Sequence, residues 1–387
     1  MPKHSPEENA PVAPVTQRDI AKRLGVHQTA VSFALRNDPQ VSPETARKIL
    51  AAAAEMGYDV ERHHAARMMQ KQRYGHALLN RVVAILIMPH FITNPYLAEP
   101  FIGISEALAR ERFDLLTVQV AAEETELARY SPSLARGYVD GVLVGYMAER
   151  MLSLRDQLDA IPGFRGRPIV TYLDTVPTSS SATPDYALGS YQAVQHLLEL
   201  GHREMVLFKP INTGHLWTLR LEGVLHALSE QGVAPERALH VLEFGWGWID
   251  PQYRMDHLPP LQKISAPGAG LLYSLPDYLR AHPAVTAIVA WNDPSAINAW
   301  RILEQAGWQL PCEISITGFD DTYPMTDSAG RNQLTTVRVP LRRCGEEAAQ
   351  LLVGQLTGEQ REIEHRLLPT ELIVRGSTMP RKGPKKA

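Results

Sequence analysis

Little in this chain is spaced for catalysis. The two cysteines, Cys312 and Cys344, lack a CxxC partner or paired histidines, so neither a disulfide framework nor a zinc site is signalled and both read as small buried thiols. Fourteen histidines, the adjacent His63 and His64 among them, show no ligand spacing with carboxylates or thiols, and no metal is expected. Acidic and basic side chains facing a cleft could do acid–base work. No nucleophile elbow, glycine-rich phosphate loop or metal motif accompanies them, so neither a cofactor nor an enzymatic activity is expected. The chemistry that the sequence does favour is ionic. Residues 15–81 carry 11 Lys and Arg against 6 Asp and Glu, a balance of +5, while residues 82–387 carry 27 against 34, a balance of −7. Polyanion binding would therefore belong to the first of these segments. Solvated surfaces also show such differences, so a motif must carry the claim.

The elements that would hold those charges can be read from helix signals. Residues 1–14 contain four prolines and no apolar period, which marks a flexible tail. Thr16-Gln17-Arg18-Asp19 has the form of a capping box ahead of Ile20, Ala21 and Leu24, and Gly25 supplies a left-handed stop. A second period then sets Ala30, Val31, Ala34 and Leu35 on one face. Ser42-Pro43-Glu44-Thr45 opens a third helix that runs through Ile49, Leu50 and Ala53 to Gly57. Three short helices share one small core.

The run from Val15 to Tyr58, VTQRDIAKRLGVHQTAVSFALRNDPQVSPETARKILAAAAEMGY, resembles without a gap the DNA-binding headpiece of the LacI/GalR family of bacterial transcription regulators. The resemblance implies a helix-turn-helix whose second helix lies in the major groove, with Gln28, Thr29 and Phe33 facing bases and Thr16, Ser32 and Arg36 facing the phosphate backbone. Two residues depart from the family: His27 stands where a serine is usual and Phe33 where an arginine is frequent. Phenylalanine offers only apolar contact, for example to a thymine methyl, so an atypical operator is expected. The alternative is that Phe33 belongs to the headpiece core, although Val31, Ala34 and Leu35 already fill the buried face.

After Tyr58, Ala66-Arg67-Met68-Met69 resembles the Ala-Arg-x-Leu pattern of the family's hinge helix. The resemblance implies that Ala66 and Arg67 contact DNA and that Met69 wedges into a minor-groove base step of the kinked duplex. A flexible linker is the alternative reading. Folding on binding accommodates both, since so short a helix is marginal alone.

From Arg81 onward apolar runs alternate with helical stretches. Residues 81–89, 113–119, 138–146 and 167–174 read as one set of buried strands, and 202–210, 238–245, 285–291, 314–320 and 334–340 as a second. Such alternation means parallel sheets, and two sets mean two lobes with a cleft between them. The resemblance to the same family continues through NPYLAEPFIGISEAL, DYALGSYQAVQHLLELGHR, TLRLEGVLHAL, AIVAWNDPSAINAWRILEQAG, ISITGFDDT and LLPTELIVRGST, covering most of residues 15–378. It implies an α/β effector domain of the periplasmic-binding-protein fold, crossed three times by the chain near Pro184, Val337 and Pro369. The organisation expected is a tail at 1–14, a helix-turn-helix domain at 15–61 and a hinge and linker at 62–80. One lobe takes 81–183 with 338–368, and the other takes 184–337 with 369–387.

By that resemblance Asp174, Arg220, Asn292 and Asp320, with Phe91 beside them, contact a small-molecule effector, most simply a carbohydrate. A carboxylate, a guanidinium and an amide at strand ends offer hydroxyls both donors and acceptors. Alternatively, the WND and GFDD turns hold themselves through side-chain bonds to their own backbone. Trp217 and Trp291 lie beside matched positions. Residues 245–270, with Trp246 and Trp248, have no family counterpart and either lid the cleft or decorate the surface.

A length of 387 residues favours more than one folding unit, and 44% hydrophobic with 21% charged residues is ordinary for a globular protein. No apolar run approaches the roughly 20 residues of a spanning helix and the start lacks a secretory core, so a cytoplasmic location and no membrane partner are expected. A transport-class solute-binding protein shares the expected fold, but Val15–Tyr58 and the missing signal count against it. The expectation is therefore a repressor that binds a palindromic duplex operator as a homodimer, higher assembly being disfavoured because PRKGPKKA holds no leucine heptads.

Overall fold

The computed structural model describes residues 15–35, 40–58, 79–87, 94–120, 132–135, 137–145, 151–161, 164–210, 214–244, 264–265 and 272–381. Arg36, the hinge with Ala66, Arg67 and Met69, Phe91, and Trp246 and Trp248 lie outside the described residues. The chain divides into two compact units, Met1–Asn80 and Arg81–Ala387.

The first unit is a three-helix headpiece. Helix α1 (Gln17–Leu24) starts at the capping box: the Thr16 hydroxyl accepts from the Asp19 amide at 3.4 Å and the Asp19 carboxylate accepts from the Thr16 amide at 2.8 Å. Gly25, at φ +65, ends it in the left-handed region where a Cβ would be strained. Helix α2 (Gln28–Ala34) follows after a tight turn, and α3 (Pro43–Glu55) opens at Ser42, whose hydroxyl accepts from the Thr45 amide at 3.2 Å. Ile20, Val31 and Ile49 are fully buried where the three helices meet, with Ala21, Ala34, Ala53 and Tyr58 around them.

The second unit contains two sheets. Strands β1 (Val82–Ile87), β2 (Asp114–Gln119), β3 (Gly141–Gly145), β4 (Ile169–Tyr172) and β5 (Ser180–Pro184) join β13 (His365–Leu368) in the order β13-β5-β4-β3-β1-β2, all parallel. The other sheet has the order β14-β12-β11-β10-β6-β7-β8-β9. Its members are β6 (Glu204–Pro210), β7 (Leu239–Phe244), β8 (Ile264–Ser265), β9 (Leu272–Tyr273), β10 (Val285–Ala290), β11 (Ser315–Asp320), β12 (Thr335–Arg338) and β14 (Glu371–Ile373). Parallel pairing holds from β12 to β7, but β14, β8 and β9 pair antiparallel at the edges. Within the stretch 245–270, Ile264–Ser265 thus extends the second sheet.

The longer helices of the unit are α4 (Pro95–Arg110), α5 (Met151–Asp159), α6 (Tyr186–Glu199), α7 (Gly214–Glu230), α8 (Leu275–Ala281), α9 (Asp293–Gln305) and α10 (Leu341–Thr357), with single helical turns at Pro132–Ala135 and Pro235–Ala238. Because helices cover parallel strands on both faces, the strands read as continuous apolar runs, and all nine expected segments contain a strand at least four residues long; in seven of them most side chains are buried, the exceptions being β2 and β7. Strand β5 escapes that reading: Ser-Ser-Ala-Thr-Pro has no apolar run, yet it is buried, with Ser180 accepting from Gln355 at 2.7 Å and Ser181 bonded to His365 at 2.8 Å. The chain leaves the first sheet at Pro184, returns to it after Arg338, one residue later than expected, and leaves again between Leu368 and Glu371.

Two helices touch backbone to backbone. A Cβ at Gly103 in α4 would sit 2.0 Å from the Arg342 carbonyl oxygen, and one at Gly345 in α10 would sit 2.0 Å from that of Pro100. Glycine on both sides is what lets α10 lie this close and cover the first sheet.

Candidate functional site

In the headpiece, the exposed residues His27, Gln28 and Thr29 share the start of α2. His27 is its N-cap: Nδ1 accepts from the Thr29 amide at 3.3 Å and lies 2.8 Å from the Thr29 hydroxyl. Nδ1 as acceptor places the ring proton on Nε2, a donor that a capping serine could not present. Thr16 caps α1 and is exposed, and Ser32 and Phe33 are half-buried. Among the described residues, the cluster that contains Ile20, Val31, Ala34 and Ile49 does not include Phe33.

In the second sheet, β6 and β10 are neighbours, while β7 lies beyond one and β11 beyond the other. Connections leaving in opposite directions open a crevice at the carboxyl ends of the central pair. A pocket of about 320 Å³ occupies it, lined by Lys209 at the end of β6, Trp217 and Arg220 of α7, Trp291 after β10 and Phe319 of β11.

Arg220 is buried at its centre. The guanidinium carbon lies 4.0 Å from the Trp291 ring centroid and 3.8 Å from that of Phe319, and Nη1 donates to the Trp291 carbonyl. Two aromatic faces thus fix a cation in place. Among the described residues its Nε has no hydrogen-bond partner, and neither has the buried Oδ1 of Asp320, 4.0 Å from Nη2 and too far for a direct bond. Burial pushes the Asp320 carboxyl up to about 7, although the Arg220 charge pulls it down.

The other expected residues divide. The Asn292 side-chain oxygen caps α9 by accepting from the Ser295 amide at 3.0 Å, so in this turn the self-holding alternative applies to that oxygen. Asp174 follows β4 in the first lobe and its Oδ1 lies 2.8 Å from Nε2 of His215 in α7 of the second, a contact between lobes. Tyr186 makes another: its hydroxyl donates to the Leu173 carbonyl at 3.0 Å and lies 2.8 Å from the Tyr96 hydroxyl, while its ring sits 5.3 Å from the Arg220 guanidinium. Sequence reasoning missed His215, Tyr186, Lys209 and Asp293. Asp293, fully buried, accepts from the Thr322 and Tyr323 amides at 2.7 and 3.2 Å and from the Thr336 hydroxyl at 2.5 Å. Burial and then the nearby Asp320 charge push it up to about 8, against those three bonds. The WND motif held a clue to it, because an acid just after a cap residue sits in a helix first turn.

Among the described residues there is no cluster of three or more metal-ligating side chains and no helix long and apolar enough to cross a membrane.

Residues 16–60 match the family model described as bacterial regulatory proteins, lacI family. Residues 80–245 match periplasmic binding proteins and sugar binding domain of LacI family, and 194–378 match a periplasmic binding protein-like domain. The chain is 27% identical over 370 residues to the HTH-type transcriptional regulator AglR of Rhizobium meliloti (strain 1021), covering 95% of each. To CelR of Thermobifida fusca it is 28% identical, covering 92% of this chain and 96% of that one. Among solved structures, a LacI family transcriptional regulator from Enterococcus faecium with bound ribose superposes with a TM-score of 0.59 at 25% identity, covering 78% of this chain and all of that one.

Proposed function

Given that this chain belongs to the LacI family and is a DNA-binding transcription regulator rather than an enzyme, we propose that it is a cytoplasmic repressor. It binds a palindromic operator as a homodimer and is controlled by a sugar in the crevice between its lobes. The observation that carries the effector half is a pair of buried atoms without a hydrogen-bond partner among the described residues: Nε of Arg220, which lines the pocket, and Oδ1 of Asp320, 4.0 Å from Arg220 Nη2. Buried polar atoms without partners are rare and costly, and a polyhydroxylated molecule satisfies a donor and an acceptor together while its apolar face rests on Trp291 or Trp217. The ribose in the Enterococcus faecium relative supports the same class of ligand. Asp174 and Asn292 complete the polar lining in this reading, with His215 closing over Asp174 from the opposite lobe.

The DNA half rests on α2. Gln28, Thr29 and Phe33 read base edges, His27 donates from Nε2, and Thr16, Ser32 and Arg36 position the backbone. Ala66, Arg67 and Met69 follow the family in the minor groove.

The test is selection of duplexes from a random library by the purified protein, followed by titration of the selected duplex with a sugar panel that includes ribose. The expected result is an inverted repeat whose binding weakens steeply with salt and is altered by one sugar. Equal affinity for scrambled and selected duplexes would sink the operator reading. In the same selection Phe33→Arg is expected to move one position of the half-site toward guanine, since arginine takes guanine bidentately. An unmoved sequence would return Phe33 to the core.

A pH dependence follows from Asp320. Sugar hydroxyls donate to the carboxylate, so the ligand prefers the ionised form, and a carboxyl raised to about 7 is increasingly protonated below that pH. Affinity is expected to fall by up to about tenfold per pH unit below 7 and to level off above 8. Calorimetry in buffers of different ionisation enthalpy should show proton release near neutrality. Flat affinity without proton release would mean that Asp320 accepts nothing from the sugar.

A further inference from the structure

Asp320 and Asp321 both lie in the left-handed region, at φ +98 and +56, where residues other than glycine are uncommon. Such conformations persist only where surrounding contacts hold them. Here the contacts are unusually directional. Asp320 ends β11 beside the Arg220 guanidinium, whereas Asp321 turns to the strands that carry the chain between lobes. Its Oδ2 accepts from Arg338 Nε at 2.9 Å and lies 2.8 Å from Arg338 Nη2, and its Oδ1 lies 2.8 Å from Arg375 Nη2.

The positions of these two arginines give the clamp its meaning. Arg338 is the last residue of β12, and the chain passes directly from it through Val339 and Pro340 into α10 on the first sheet. Arg375 follows β14, the strand by which the chain comes back to the second sheet. Arg338 is also the register partner of Asp320 in the β11–β12 ladder, and the Arg375 amide donates to the Thr335 hydroxyl at 2.9 Å. Asp293 holds the far side of the turn, joining Thr322 and Tyr323 to Thr336 of β12. The turn beside the pocket and the second and third crossings therefore move as one piece. Ordinary surface ion pairs do not constrain geometry in this way, but the Asp321 side chain is only 9% exposed and that of Arg375 only 18%, and both carboxylate oxygens are engaged.

We propose that Asp321 is a positioning residue that ties the Asp320 turn to the second and third interlobe crossings, so that the lobe arrangement is set from the pocket loop. The proposal deepens the regulator reading and rests on it only for its purpose; the mechanical link itself needs neither sugar nor DNA.

The experiment is a pulsed electron spin measurement of the distance between spin labels on the full-length protein. Labels are placed on cysteines at Asp156→Cys in α5 and Glu304→Cys in α9, with Cys312→Ser, Cys344 being buried. The variant Asp321→Asn keeps the shape and a residue type tolerant of positive φ while removing the charge. The expected result is an interlobe distance distribution about twofold broader than in the parent. Arg338→Gln with Arg375→Gln should broaden it at least as much, since Arg338 also faces Glu371 at 3.8 Å and Arg375 also donates to the Leu334 carbonyl at 2.7 Å, and adding Asp321→Asn to that pair should add nothing, because the clamp is already gone. This arginine pair carries the test if Asp321→Asn fails to fold. A distribution as narrow as the parent's, or broadening that simply adds, would overturn the proposal while leaving the regulator reading intact. Loss of operator selection in the parent protein would overturn that reading and leave the clamp intact.

Discussion

Replacing Asp320 with alanine should erase the effect of sugar on operator binding while leaving binding by the sugar-free protein unchanged. The carboxylate is buried, its Oδ1 has no hydrogen-bond partner among the described residues, and it lies 4.0 Å from Nη2 of the clamped Arg220, which lines the pocket. Removing one partner of a buried hydroxyl contact costs about 1–3 kcal/mol, which is roughly a ten- to hundredfold loss in sugar affinity. The headpiece is a separate compact unit with its own buried core, so its fold does not depend on this side chain. Alanine at φ +98 is strained, and Asp320→Asn separates that strain from loss of the charge because asparagine tolerates the left-handed region. The measurement is operator binding titrated with sugar, parent beside both variants. A sugar that shifts all three equally would move the acceptor elsewhere.

The largest expected effect on folding comes from Gly345→Val. Even the first added carbon would lie 2.0 Å from the Pro100 carbonyl oxygen and 2.9 Å from its Cα, and the atoms it meets are backbone of a packed helix, which cannot swing aside as the end of a flexible side chain could. Overpacking against side chains costs about 1–3 kcal/mol, and against backbone the upper end or beyond is expected. A loss of on the order of 10 °C in Tm, or an insoluble protein, should follow. Gly354→Ala in the same helix is the control: its Cβ would meet only the Gln360 side chain, at 3.4 Å, and alanine gains about 1 kcal/mol of helix propensity over glycine. Thermal unfolding of both decides it, and equal midpoints would mean that the helix contact is looser than described.

What was legible in the sequence was local. The Thr16 and Ser42 caps and the Gly25 stop are governed by neighbours three or four residues away, so the headpiece helices could be read directly. The apolar strands could be read because both their faces are covered. Strand β5 could not, since its small polar residues are bonded to Gln355 and His365, far along the chain. The same holds within the pocket. Family resemblance pointed to Arg220 and Asp320, but it could not say that Trp291 and Phe319 hold the guanidinium between them, or that His215 reaches Asp174 from another lobe. Those contacts depend on the chain crossing between sheets, and no window of neighbouring residues contains them.

The late return of the chain to its first sheet also has a consequence for biosynthesis. Strands β1 to β5 are complete by Pro184, but β13, which flanks β5, begins only at His365, and α10, which buries Leu341, Leu351 and Leu352, begins only at Leu341. At about 5–20 residues per second of translation, the interval is on the order of ten to forty seconds. The second lobe lacks only β14 and the segment after it when Arg338 has emerged from the ribosome. The lobe begun first is thus finished late, and a nascent chain stalled anywhere before α10 offers a half-covered sheet to the chaperones around it.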